Sequence, residues 1–301
     1  MAGSILFGVV LGAAIAQAAP PGSSSNDRIN PLAASTSRAS RDNALAAIPT
    51  DKLDPKGRAK VASVLPNTTV FRRLPVRVIR CDPELYLFLV QHPDVVANIW
   101  KVMGVCQMAL EQTGPNTYQG TDGAGTRGSI EFLYRSQDTQ LVYVEGSYSG
   151  PPFPKPVHGR GVLLLKSGYV LETDGRHYIT SRLDAFMAVE PGAVELLTKT
   201  FHPLVGKIAD ANFIQTAGFL GSLSKTAEVN AAGMERLAGK LGHVRPEVRE
   251  RLVAICRRVA EKAAQTAESG WTDIPLTACR PGTVEIPAVA RDQIAPAAET
   301  R

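Results

Sequence analysis

The chain has 301 residues, 44% hydrophobic and 20% charged, enough apolar material for a sizeable core around one main domain. Its 33 Lys and Arg against 28 Asp and Glu leave a net charge of +5, spread along the chain and rarely interleaved with aromatics. That pattern excludes the clustered basic stripe of a nucleic-acid-binding protein, while a weak attraction to anionic membrane surfaces or glycans fits the charge.

Residues 1–18 read as an export signal. An apolar run over 5–16 leads into Ala16-Gln17-Ala18 before Ala19-Pro20, the small-x-small pattern of a cleavage site. The run is short for a spanning helix, and the usual basic n-region is missing. The expected mature protein is exported: periplasmic, in the cell envelope, or secreted. Residues 19–53 are rich in Ala, Ser, Pro and Asn and are expected to form a flexible linker, since such a segment buries too little to offset its ordering entropy.

Asp54-Pro55 opens a short helix over 56–65, with Asp as cap and Pro in the first turn. Residues 70–80 alternate, with Leu74, Val76 and Val78 on one side, as in a half-buried strand; Pro75 removes a ladder donor and marks an edge or bulge. Asp82-Pro83 starts a helix ending near Gln91. Pro93 forces a break, and a second helix runs to about Met103 with Val96, Ile99 and Trp100 on one face. From Cys106 to Glu190 the pattern is β, with turns expected at Ser167-Gly168 and Asp174-Gly175. Short connections imply an antiparallel meander.

After Pro191-Gly192 the period shifts from two to between three and four. Val194, Leu197, Phe201, Leu204, Ile208, Ala211, Gln215, Phe219 and Leu223 form one long helical stripe, which needs a broad partner surface. Pro203 is expected to kink or divide this helix. Helical character fades over 230–242, and Pro246 then starts an amphipathic helix to about Ser269, with Val248, Leu252, Ile255, Cys256, Val259 and Ala263 inward. Residues 271–301 read as an extended or disordered tail.

No catalytic set emerges. Gly123, Gly125 and Gly128 match G-x-G-x-x-G, but a strand follows where phosphate cradling needs a helix N-terminus. Ser222 and Lys225 match S-x-x-K without companion elements. A pairing of His158 with His177, beside Glu172 or Asp174, is acid–base chemistry only if folding joins them. The segment 151–156 is a polyproline run, read as a stiff crossing between strands or a docking ligand. Four cysteines lack ligand spacing, so no metal site is expected; a Cys256–Cys279 bond and four free, buried thiols are the two readings.

The element order resembles the helix-grip superfamily of START lipid-transfer domains, polyketide cyclases and plant pathogenesis-related proteins. It rests on the strand at 70–80, the helices at 82–103 broken at His92-Pro93, the strands to Glu190 and the long helix from Gly192 to about Ala227. The resemblance implies an α+β fold: a curved antiparallel sheet, two short helices, and a long C-terminal helix across the sheet. Family members mostly bind sterols, phospholipids or polyketide-like molecules, and some catalyse cyclisation or hydrolysis.

The expected organisation is therefore a signal (1–18), a linker (19–53), a helix-grip-like domain (54–230), a C-terminal helical extension (231–270) and a tail (271–301). The expected function is an exported carrier for a hydrophobic small molecule or lipid, without a cofactor. The residues expected to line its site are Phe201, Leu204, Ile208 and Phe219 on the helix and Tyr134, Tyr143 and Tyr178 on the sheet. Two rivals stand beside it: an enzyme on the same scaffold, and a cell-envelope interaction protein using the last helix.

Overall fold

Period-two alternation becomes an eight-stranded antiparallel sheet in the computed structural model, which describes residues 32–151, 155–173, 175–190 and 202–268. The strands are β1 (Val70–Arg73), β2 (Arg77–Arg80), β3 (Ala109–Gln112), β4 (Thr117–Thr121), β5 (Thr126–Arg135), β6 (Thr139–Tyr148), β7 (Val157–Leu171) and β8 (His177–Val189). Their order is β1-β8-β7-β6-β5-β4-β3, with β2 also on β8. Pro75 does what its missing donor requires: it splits the 70–80 strand, so that β1 pairs with 184–187 and β2 with 178–181 of the same partner. Residue 35 bridges Arg73 beyond β1 and covers part of that edge. At the other edge, the Asn98 side chain donates to the Leu110 carbonyl at 3.2 Å.

The sheet is curved, and its strands crowd where glycine stands. A Cβ at Gly146 would lie 2.6 Å from the Arg127 carbonyl oxygen, and one at Gly120 2.3 Å from that of Ala109. Only glycine allows such an approach.

Seven α-helices accompany the sheet among the described residues: α1 (Arg38–Ala46), α2 (Pro55–Val64), α3 (Pro83–Gln91), α4 (Pro93–Val102), α5 (His202–Val229), α6 (Ala231–Gly239) and α7 (Pro246–Glu268). None is long and apolar enough to cross a membrane. Asp82 caps α3 by accepting from the Glu84 and Leu85 amides, and His92, at φ −124° and ψ 70°, makes the bend before α4.

Two apolar layers result. On the inner face, Ile79, Ile130, Phe132, Val142, Val144 and Leu163 join α3, α4, α5 and α7 in the main core. Ion pairs fasten α5 over this face, Arg72 to Asp210 and Arg80 to Glu228. On the outer face, Leu141, Tyr143, Val162, Leu164 and Phe186 are covered by Ala44, Ile48, Leu53, Val61 and Val64. The described architecture is the α+β, helix-grip-like arrangement expected from the element order.

Several expectations need correction. The stretch expected as a linker holds order from residue 32 onward: Ser37 caps α1, and Ala44 is fully buried. The reason is tertiary, because the outer sheet face is apolar and needs a cover. Ser167-Gly168 is no turn; both residues sit inside β7, paired with Ser181 and Thr180. The hairpin lies where Gly175, at φ 74°, turns the chain. Residues 231–239 form α6, begun by Asn230, whose side chain accepts from the Gly233 amide at 2.9 Å. Pro203 lies in the first described turn of α5; the stretch before it falls outside the described residues. So do the export signal, the tail and Cys279. Cys81, Cys106 and Cys256 are free and buried.

Candidate ligand-binding site

The inner layer is not packed solid. The α3–α4 pair meets the sheet at Tyr86, which reaches Ser167 and Ser181, and at Asn98, which reaches the Leu110 carbonyl, and α5 crosses between these contacts. A cavity of about 140 Å³ lies between them. Its floor is Ile79, Ile130, Phe132, Val142, Leu163, Leu165 and Leu183; Leu89, Val90 and Val96 form the side, and Phe213, Ala217 and Leu220 of α5 close the top. The lining is overwhelmingly apolar.

Three hydroxyls form its polar corner. The Tyr86 hydroxyl lies 2.9 Å from Ser167 Oγ and donates to Ser181 Oγ at 3.2 Å. Tyr86 and Ser181 line the cavity, whereas Ser167 stands behind. Burial raises the Tyr86 pKa, so the phenol stays protonated. Gln140 also contributes to the wall; its amide nitrogen donates to the Ser136 carbonyl, and its Oε1 is buried without a partner. Tyr86 is the titratable side chain in this lining, which supplies no acid–base pair among the described residues. Nor does any group of three or more His, Cys, Asp or Glu among them gather for a metal ion.

Those residues expected from sequence whose side chains are described lie elsewhere. Phe201 is outside the described residues, and for Leu204 only its place in α5 is described. Ile208 is half-buried on α5, away from the lining. Phe219 packs on the Trp100 ring of α4, centroids 5.4 Å apart. Tyr134 and Tyr143 belong to the outer layer, beneath Lys52 and Lys60. Tyr178 neighbours the inward Ile179 along β8 and therefore lies on the outer face. The structure thus brings none of the described ones into the cavity. Alternation separates two faces but does not say which one curls inward.

On α5 the cavity is touched by 213, 216, 217 and 220, a stripe containing alanine and threonine that a search for large apolar residues passes over. Ser167 and Ser181 did carry a signal. Each is a polar residue on the apolar face of a strand, which usually means a buried hydrogen bond.

The other sequence motifs resolve simply. Gly123 and Gly125 have positive φ in the β4–β5 turn, where Asp122 Oδ1 accepts from the Ala124 and Thr126 amides. The loop closes on itself before a strand, not on a phosphate before a helix. Ser222 donates to the Gly218 carbonyl at 3.0 Å. His158 lies near the start of β7, opposite Ser147, and His177 opens β8 opposite Leu171 at the far end of β7, roughly 40 Å away along the strand. The core of the proline-rich run falls outside the described residues.

A broader depression of about 1600 Å³ opens on the outer sheet face near Glu111, Arg127, Glu145, His158, Arg160 and Glu190. Its charges are mixed and it lies open to solvent, so it defines no single ligand chemistry.

No family model matches the sequence. No curated protein matches it at a significant level. Solved structures give weak likenesses. A conserved protein from Geobacillus kaustophilus is 16% identical, over 50% of this chain and 93% of that chain, with a TM-score of 0.34. Ara h 8.0201 is 14% identical, over 48% and 97%, at 0.25. The di-domain ARO/CYC BexL from the BE-7585A biosynthetic pathway is 13% identical, over 69% and 61%, at 0.25.

Proposed function

We propose that this protein binds a small hydrophobic molecule in the cavity between its sheet and α5, and that it does so after export. The observation behind this reading is the void itself, about 140 Å³ with an apolar wall, set within the main core. A void with so largely apolar a wall takes a compact apolar guest.

Volume also sets the class of guest. Cavities for drug-sized ligands run from about 300 Å³ upward, so a sterol or diacyl lipid does not fit this conformation, whereas a single ring does. Burying roughly 150 Å² of such a ring yields about 4 kcal/mol, a millimolar dissociation constant. The carrier reading is thereby narrowed to small guests.

Titration of the protein with toluene, followed by chemical shifts of the lining methyl groups, tests the reading. Ala217 is 4% exposed and lines the cavity. Ala217→Leu is expected to fill the void and weaken binding by tenfold or more while keeping the fold, checked by circular dichroism. Unchanged affinity in a folded Ala217→Leu protein, or no binding by the wild type, overturns it. Export rests on the N-terminal pattern alone. N-terminal sequencing of protein secreted from an expression host is expected to read from Ala19; an intact Met1 in that material counts against cleavage.

A further inference from the structure

A second hollow, a groove of about 280 Å³, lies between β2 and α5 and shares two walls with the cavity, Ile79 and Ala217. Ile79 and Ala217 form the seam between the two spaces. Their chemistry is opposite, for the groove carries Arg77, Arg80 and Lys225 with no carboxylate in its lining. Arg80 is committed to Glu228 at 2.7 Å. Arg77 and Lys225 have no ion-pair partner among the described residues.

Register places Arg77 more closely. It stands directly opposite Ser181 across the β2–β8 ladder, so the two side chains leave the sheet on the same face with Cβ atoms about 5 Å apart. Ser181 is 3% exposed and lines the cavity. Its oxygen accepts from Tyr86, and its own proton has no acceptor among the described residues. Ser181 thus lines the cavity side, Arg77 stands across the ladder from it on the groove side, and Lys225 lines the same groove from α5. On α5, Lys225 follows Gly218 by seven residues and shares its face. A Cβ at Gly218 would meet nothing within 4 Å, so the seam is open there.

We propose that the guest is a compact hydrophobic carboxylic acid: its apolar body fills the cavity, and its carboxylate lies at the seam, accepting from Arg77, Lys225 and the Ser181 hydroxyl. This deepens the cavity reading and rests on it. A carboxylate accepts from all three donors at once, and bonds between ionised groups are about twice as strong as neutral ones. The anion also supplies the affinity that a single buried ring lacks.

Calorimetric titration with 3-phenylpropionate and with 3-phenylpropan-1-ol, which shares its ring and chain without the charge, separates the two readings. At low ionic strength the acid is expected to bind about tenfold or more tightly than the alcohol, and the gap is expected to narrow as salt rises. Arg77→Met and Lys225→Met each lower acid binding several-fold and leave the alcohol within about twofold. Both residues are exposed, so thermal midpoints should stay near that of the wild type. Equal affinity for acid and alcohol, or an acid preference untouched by Arg77→Met, overturns the proposal while the cavity reading stands. Failure of the wild type to bind either compound overturns both.

Discussion

Removing residues 246–301 is expected to abolish cooperative folding. The apolar face of α7 is part of the main core: Val248, Leu252, Ile255, Cys256 and Val259 are all at most 4% exposed. Losing burial of the four aliphatic side chains alone costs about 6–12 kcal/mol, as much as the whole stability of a typical domain. It also bares the partners of α7 on α3, α5 and α6. Polar ties go with it, the bidentate Arg258–Glu84 pair and the Lys262–Asp82 contact at 3.1 Å, but these lie at the surface and weigh little. The measurement is a thermal melt followed by circular dichroism, alongside gel filtration. A truncated chain that melts sharply near the wild-type temperature sinks this view of α7. Such a result would restore the rival in which the last helix serves a partner, since its apolar face would then be dispensable to the fold.

Asp94→Asn is expected to stabilise the protein, by about 1–3 kcal/mol at neutral pH. Asp94 sits in the first turn of α4 with no exposed surface, and neither carboxylate oxygen has a hydrogen-bond partner. Burial raises its pKa from 3.8 to about 6, against the pull of Arg245 and Arg135. The folded value lies above the unfolded one, so between those two pH values the folded chain holds the extra proton. Stability from this group is present below pH 4, is lost as pH rises toward 6, and stays lost above it. The gap is worth about 3 kcal/mol, reduced in the variant because a buried amide is itself imperfectly satisfied. Urea denaturation of both proteins at pH 4 and pH 7.5 checks this. The advantage of the variant should be large at the higher pH and nearly gone at the lower. An equal difference at both values would mean that the carboxylate is not held as described.

His92, one position before Pro93 at the same bend, behaves in the opposite sense. Burial lowers its pKa to about 4, aided by the nearby positive charges of Arg135, Arg251 and Arg245. It is therefore neutral at pH 7, stacked on Phe88 with centroids 4.6 Å apart. The bend that shapes the cavity is thus held by an uncharged ring, which suits an apolar site and provides no general acid at that pH.

Much of this protein was determined by the sequence alone. Period-two alternation, Asp82-Pro83, His92-Pro93 and the change of period after Pro191 are local signals, and local sterics and capping act on them wherever the chain goes. They set the broken helix pair and the last helix to within a few residues, and the end of the long helix, whereas the expected turn at Ser167-Gly168 lies inside β7. Tertiary structure decided three other things. It ordered α1, because Ala44 and Ile48 gain burial only against the outer face of β6–β8. It drew α7 into the core, since an amphipathic stripe does not name its partner. And it chose the cavity lining: the curl of the sheet put Ser181, Phe132 and Leu163 inside and Tyr134, Tyr143 and Tyr178 outside. Two faces of one strand look alike in sequence, and only the direction in which the whole sheet bends makes one of them a floor.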